Sequence, residues 1–362
     1  MIWLAVILVL PYSILLFRIY RGSRKIKQFR PADQSRQFIS VIIACRNEED
    51  NLPLILSDLA SQNYPEDLFE VIVVDDCSSD NTAETALLFK AQVPNLRVIE
   101  NSGTGKKAAI REGVNAAKGS LILTTDADCR IGPLWLSTIS SFSSETGAGL
   151  MIGPVKMKST GSFASDFAMI EFLALQGITK GTAEIGDPSM CNGANLAFRK
   201  MLYLENEGEL HPEIPSGDDI FLLHAAKRKK TAAIRWIESP DAVAETRTPD
   251  TLIKVFNQRK RWLSKASVYK DKISIQLGIV TFVTILLQAM LTVSLAFDPA
   301  CIYIYLAVLF LKSVPDFLLI YNTAESYNIR RALRWFIPSQ LIYPFYVLIV
   351  AAGAFAGSYK KD

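Results

Sequence analysis

Thr125-Asp126-Ala127-Asp128 directly follows the apolar run Leu121-Ile122-Leu123. A short apolar run of this kind reads as a buried strand. Two carboxylates, one residue apart, therefore stand where a strand gives way to a loop. Residues two apart on an extended chain point the same way. Asp126 and Asp128 are thus expected to face one site and to share a hard divalent cation. Mg2+ or Mn2+ takes carboxylate ligands and completes its shell with water and substrate phosphates. An isolated D-x-D pair is usually a solvated loop feature, so the elements around it have to decide.

Those elements alternate in the manner of an α/β sheet domain. Phe38 to Ala44 is a continuous apolar strand that ends in Cys45-Arg46-Asn47-Glu48-Glu49. Leu52, Ile55, Leu56 and Leu59 have helical spacing within 51–62. A second strand, Glu70 to Val74, ends in Asp75-Asp76-Cys77-Ser78-Ser79-Asp80. Asp80 or Asn81 is placed to cap a helix over 82–90. A third short strand covers 96–99. Gly103-Thr104-Gly105-Lys106-Lys107 then opens a helix over 108–117, with Gly119 closing it. The polar clusters all follow the carboxyl ends of strands, where open α/β sheets bind ligands. Gly103-Thr104-Gly105-Lys106-Lys107, at the start of that helix, offers backbone N–H groups and a cation to phosphate. Neither a P-loop nor a G-x-G-x-x-G fingerprint is present, which removes kinase and dehydrogenase readings.

Composition points to a membrane. Half of the 362 residues are hydrophobic and the mean hydropathy is +0.21. The excess sits in four stretches, 2–17, 273–297, 301–321 and 336–359, close to the ~20 apolar residues a span needs. The first is short and contains Pro11. Arg18, Arg21, Arg24, Lys25 and Lys27 follow it, so the positive-inside rule places the next segment in the cytoplasm. A signal peptide would carry its charges before the apolar run and a small-residue cleavage site after it, so an uncleaved anchor is expected. The net charge of +3 offers no nucleic-acid footprint. Five cysteines without C-x-x-C spacing and two histidines support neither a zinc site nor a disulfide framework. Lys312 and Asp316, four residues apart within an apolar span, are expected to form an ion pair facing other helices.

Taken together, Ala44-Cys45-Arg46-Asn47-Glu48-Glu49, Asp75-Asp76-Cys77-Ser78-Ser79-Asp80, Gly105-Lys106-Lys107-Ala108-Ala109 and Thr125-Asp126-Ala127-Asp128 resemble the nucleotide-binding half of membrane-bound family 2 glycosyltransferases. Three later motifs agree. Cys191-Asn192-Gly193-Ala194-Asn195 resembles the acceptor-side strand. Gly217-Asp218-Asp219-Ile220-Phe221-Leu222 resembles E-D-x-x-L, with Asp218 in place of Glu. Gln258-Arg259-Lys260-Arg261-Trp262 matches the Q-x-x-R-W of polysaccharide synthases and ceramide glucosyltransferases. The resemblance implies a GT-A nucleotide-diphospho-sugar transferase domain of α/β class with a mixed central sheet. It predicts an N-terminal transmembrane anchor over 1–20 and a cytoplasmic GT-A domain over 36–248. An amphipathic interface helix over 249–272 and three transmembrane helices over 273–359 complete the expected organisation.

The implied roles divide among three groups. Ala44, Arg46, Glu48, Asp75, Asp76, Lys106 and Asp126 would bind the nucleotide-sugar, with Asp75 or Asp76 on base and ribose. Asp128 would ligate Mg2+ or Mn2+, with Asp126 toward the metal or the ribose. Asn192, Gly193, Asn195, Asp218, Gln258, Arg261 and Trp262 would meet the acceptor or the diphosphate. Asp219 would be the general base, because an inverting transfer needs a carboxylate to accept the acceptor's hydroxyl proton. The expected activity is transfer from a nucleotide-sugar, a UDP-sugar by resemblance, to a membrane-associated lipid or growing polysaccharide. A non-catalytic nucleotide-binding scaffold and a subunit of a processive exopolysaccharide synthase or exporter are the alternatives. Nucleic acid is not an expected partner.

Overall fold

The computed structural model describes residues 2–32, 35–214 and 216–356, in two compact units. One, Ile26–Lys158 with Met190–Arg247, carries all the strands among the described residues. These are β1 (Ile39–Cys45), β2 (Phe69–Asp75), β3 (Leu96–Glu100), β4 (Leu121–Asp126), β5 (Arg130–Ile131), β6 (Leu150–Ile152), β7 (Val155–Lys158), β8 (Leu196–Arg199), β9 (Ile234–Trp236) and β10 (Ala244–Arg247). Seven form one sheet in the order β3-β2-β1-β4-β8-β6-β9. β1, β2, β3 and β4 run parallel, β8 runs antiparallel to β4 and β6, and β9 is parallel to β6, so the sheet is mixed as expected. A smaller sheet has the order β5-β10-β7.

β1 and β2 are buried along almost their whole length, which is why they read as unbroken apolar runs rather than alternating ones. Val41, Ile43, Val71, Val73, Leu121 and Leu123 join one core with Leu52, Ile55, Leu56 and Leu59 of the helix Leu52–Ala60. Burying each such side chain contributes roughly 1.5–3 kcal/mol. The chain steps outward from β1 through β2 to β3, then returns to β4 on the other side of β1. That reversal lies between β1 and β4, and their carboxyl ends frame the crevice where sheets of this class bind ligands.

Local details differ from the sequence expectations in small, explicable ways. The helix expected over 108–117 spans Lys106–Ala116 and starts from Gly105, whose φ of 87° suits glycine. The helix after Asp80 is shorter, Thr82–Leu87, and continues as a 3-10 turn. Asp80 accepts from the Thr82 N–H at 3.1 Å, while Asn81 turns to Glu49 instead of capping.

The second unit is helical. It contains Ile2–Ser23, Phe163–Glu184, Leu252–Leu263, Lys272–Ser294, Ile302–Ser326 and Phe336–Ala356. Among the described residues, four helices are long and apolar enough to cross a membrane: Ile2–Ser23, Lys272–Ser294, Pro299–Ser326 and Arg330–Ala354. Residue 1 and residues 357–359 of the expected spans lie outside the described residues. The sequence reading ran without interruption from 36 to 248. Instead, Phe163–Glu184 groups with the helical unit, because it packs on Ile2–Ser23. A Cβ on Gly181 would lie 2.3 Å from the Ile19 carbonyl oxygen, so only glycine permits that approach.

The expected Lys312–Asp316 ion pair is present at 2.8 Å. Lys312 also donates to Gln340 Oε1 at 2.6 Å, and Tyr12 Oη donates to Asp316 at 2.5 Å. The interface helix expected over 249–272 is shorter, Leu252–Leu263, and a 3-10 turn separates it from Lys272–Ser294.

Candidate active site

β1, β2 and β4 end side by side. Cys45 is the register partner of Asp75, and Ala44 is the partner of Asp126. The three acidic segments that follow these strands are therefore neighbours by construction of the sheet. Ala44 is half-buried and Arg46 exposed, with Asn47 in the left-handed region at φ 55°. That turn is tied across to the loop after β2, where Asn47 N–H donates to Ser78 Oγ at 2.9 Å. Ser79 N–H donates to Asn47 Oδ1 at 2.8 Å.

Asp75 and Asp76 are both buried, but they are engaged differently. Asp75 accepts from the hydroxyl and the N–H of Ser78. Asp76 Oδ1 accepts from Asn101 Nδ2 at 2.7 Å and from Gly105 N–H at 2.8 Å. Asp76 thus fixes the start of the helix Lys106–Ala116. The next residue, Lys106, is ion-paired with Asp126. Burial works against the Lys106 ammonium, yet Asp126, Asp218 and Asp219 together hold its pKa above the ordinary lysine value. Lys107 turns the other way. Its Nζ donates to the carbonyls of His211 and Ile214 at 2.7 and 3.0 Å and lies 4.7 Å from the Phe221 ring centroid.

Asp128 Oδ2 accepts from Thr246 Oγ1 of β10 at 3.1 Å. Burial, then the neighbouring Asp126, raises the Asp128 pKa above the usual carboxylate range. Glu48 is raised as well, by burial first and then by Asp128, Asp126 and Asp80, with the Asn51 amide opposing. Among the described residues no three His, Cys, Asp or Glu side chains converge as metal ligands. The donor set still suits a hard cation. Asp128 and Asp126 are oxygen donors, and the raised Asp128 is a carboxylate short of positive charge. A divalent ion here would complete its shell with phosphate and water oxygens.

Asp218 and Asp219 open the helix Asp218–Lys229, and Gly217 at φ 93° precedes them. Asp218 is buried. Asp219 is half-buried and accepts from Gly193 N–H and Ile220 N–H, each at 2.8 Å. Gly193 is fixed in turn by Thr124 Oγ1, which donates to its carbonyl at 2.8 Å from β4. Asn192 accepts from Ala194 N–H and caps the short turn Gly193–Asn195. Asn195, expected at the acceptor, is spent inside the fold. Its Nδ2 donates to the Pro154 and Ala242 carbonyls at 2.8 and 2.7 Å, and its Oδ1 accepts from Trp135 Nε1. Both amide hydrogens are consumed, so the side chain ties the turn Gly193–Asn195 to Pro154, Ala242 and Trp135.

Gln258, Arg261 and Trp262 lie on the helix Leu252–Leu263 of the helical unit. Arg261 is exposed, whereas Arg259 is buried. Arg259 Nε donates to Glu171 Oε2 at 2.7 Å, its Nη1 donates to Gln258 Oε1, and the guanidinium stacks 4.1 Å from the Trp262 ring centroid. In sequence Arg259 is one more basic residue of the amphipathic segment, with nothing to mark its burial. Sequence reasoning also passed over Asn101, Thr246 and Thr124, whose side chains carry no motif signal of their own.

Residues 40–204 match the sequence model of glycosyl transferase family 2. In this segment the chain is similar to the family 2 glycosyl transferases. Glycosyltransferase AglE of Haloferax volcanii is 38% identical over 120 residues, covering 33% of this chain and 40% of that protein. A poly-beta-1,6-N-acetyl-D-glucosamine synthase of Staphylococcus epidermidis is 26% identical over 238 residues, covering 63% of this chain and 54% of that protein. The chain thus spans about half or less of the length of these curated relatives. Among solved structures, the mannosyltransferase PcManGT from Pyrobaculum calidifontis, in complex with GDP-Man and Mn2+, superposes with a TM-score of 0.61 at 18% identity, covering 98% of both chains. The strand-bearing unit has the GT-A fold, and that neighbour combines the same fold with a comparable overall length.

Proposed function

We propose that the protein is an inverting, metal-dependent glycosyltransferase of the cell membrane, with its GT-A domain on the cytoplasmic side. It transfers a hexosyl group from a nucleotide-sugar, by resemblance a UDP-sugar, to a membrane-associated acceptor. One observation carries this reading. Asp126, Asp218 and Asp219 all act on Lys106, whose helix is anchored by Asp76 and whose partner Asp126 adjoins Asp128. Acidic residues spread from 126 to 219 thereby act on one cation, beside the helix start that Asp76 holds, as a site for a sugar diphosphate requires.

In this reading Asp219 takes the proton of the acceptor hydroxyl as its oxygen attacks the anomeric carbon. The new C–O bond forms while the bond from that carbon to the diphosphate oxygen breaks, and the leaving nucleoside diphosphate keeps the electron pair. Gly193 N–H and Ile220 N–H hold the Asp219 carboxylate in place. Asn101 and Gly105 hold Asp76 toward base and ribose. Lys106 offsets negative charge on the departing diphosphate. A divalent ion held by Asp128 and Asp126 would neutralise further charge there. Gln258, Arg261 and Trp262 are assigned to the acceptor by resemblance, with Arg259 ordering two of them.

The test is nucleoside diphosphate release and lipid or polymer product formation by the purified chain. A panel of UDP-sugars and GDP-mannose should be supplied with and without Mn2+. Metal-dependent turnover that disappears in Asp219→Asn supports the proposal. Nucleotide binding without turnover on any membrane acceptor would instead favour the scaffold. The similarity to a polysaccharide synthase over 63% of the chain favours polymer as a second acceptor class, and product length distinguishes it from a single transfer.

A further inference from the structure

Lys106 sits where a divalent cation would be expected to act. It is paired with Asp126, the carboxylate two residues from Asp128, and lies in the fields of Asp218 and Asp219. Two cations on one carboxylate repel each other, so the ion and this ammonium compete. Neither partner is locked in place, since the Lys106 and Asp126 side chains are 40% and 34% exposed. The backbone just before Lys106 is fixed, because Gly105 N–H donates to Asp76 at 2.8 Å. Lys107, one residue on, is tied to the carbonyls of His211 and Ile214. Lys106 can therefore move by side-chain rotation alone, with its helix held on both sides.

We propose, resting on the functional reading above, that Lys106 is a resident counter-cation that a divalent ion must displace from Asp126, so that metal binds weakly until a nucleoside diphosphate draws the ammonium away. Lys106 then serves two states. In the free protein it balances the carboxylates, and in the loaded protein it meets the diphosphate. Metal and nucleotide bind with positive coupling, and that coupling is reciprocal.

The experiment is Mn2+ titration followed by electron paramagnetic resonance, without nucleotide and with saturating UDP or GDP. It compares the full-length protein with Lys106→Met and Lys106→Arg, with Lys106→Gln as a second neutral variant. Lys106→Met and Lys106→Gln are expected to bind Mn2+ alone about two- to fivefold more tightly, the range an exposed ion pair supports. The gain in Mn2+ affinity on adding nucleotide should shrink in both. Lys106→Arg keeps the charge and should follow the parent on Mn2+ alone. Unchanged or weaker Mn2+ binding in the neutral variants, while the parent still binds Mn2+ with UDP or GDP, overturns the role of Lys106 only. Failure of the parent to take up Mn2+ with either nucleotide overturns it together with the metal-dependent reading.

Discussion

Replacing Thr246 by valine removes one hydroxyl from beside Asp128 and almost nothing else. Valine keeps the shape of threonine and suits a strand, so β10 and its pairing with β7 and β5 should persist. The lost contact is a hydroxyl donating to Asp128 Oδ2 at 3.1 Å. A hydrogen bond to a charged group contributes about 1.5–3 kcal/mol. The contact is longer than the ~2.7–2.8 Å usual for hydroxyl donors, and Thr246 is only half-buried, so the low end applies. About 1.5 kcal/mol corresponds to roughly a tenfold change in an equilibrium constant. The hydroxyl favours the ionised form of Asp128 and opposes the rise caused by burial and Asp126. Without it, Asp128 protonates more readily and holds a cation less well. Thr246→Val should therefore weaken Mn2+ binding in the presence of UDP about tenfold, with turnover recovering at saturating Mn2+. The assay is a Mn2+ titration with activity read at each concentration. If Thr246→Val matched the parent while Asp128→Ala lost metal-dependent donor binding, the hydroxyl would have no part in preparing that carboxylate.

Asp219→Asn should retain donor binding and lose transfer by about 10²–10⁴-fold, the usual contribution of a general base; near-normal turnover would remove Asp219 from that role. Lys312→Met leaves Asp316 buried without its cation, and removing one partner of a buried pair costs about 3–5 kcal/mol. Thermal unfolding in detergent should show the loss, and adding Asp316→Leu should recover much of it. A pH series should separate the metal-free and Mn2+-loaded states. Asp128 is raised by burial and Asp126, and Glu48 by burial and then by Asp128, Asp126 and Asp80. Such groups favour the folded state while protonated, a contribution present below the ordinary carboxylate range and lost as pH climbs through the raised values. The rise in melting temperature on adding Mn2+ should accordingly be larger above that range than below it. A shift independent of pH would contradict the assignment.

The sheet and the acidic strand ends were legible because each is a local pattern. Phe38 to Ala44 and Glu70 to Val74 needed only an apolar run followed by polar residues, and the parallel pairing then brought Asp126 beside Ala44. What the pattern could not show was partnership over distance. Thr246 is 118 residues from Asp128, and Glu171 is 88 residues from Arg259. Arg259 and Arg261 look equivalent on a basic helix face, yet Arg259 is buried against Glu171 and the Trp262 ring while Arg261 is exposed. The helix Phe163–Glu184 was missed for a related reason. Asp166, Glu171 and Lys180 interrupt its apolar character, and their partners, Arg334, Arg259 and Ser326, lie far along the chain.

Neutral partners hold the carboxylates of the site in place. Asp75, Asp76, Asp128 and Asp219 each accept at least one hydrogen bond from a hydroxyl, an amide or a backbone N–H. Those bonds fix the direction of the oxygens, but they add no net positive charge. Lys106 supplies one unit, on a side chain free to leave. The site is therefore held in geometry by neutral donors and left short of positive charge, a condition that a phosphate-bound divalent cation relieves and an anionic sugar phosphate alone does not. Substituting the neutral donors should alter affinity in graded steps, whereas substituting Lys106 should change the order in which metal and nucleotide bind.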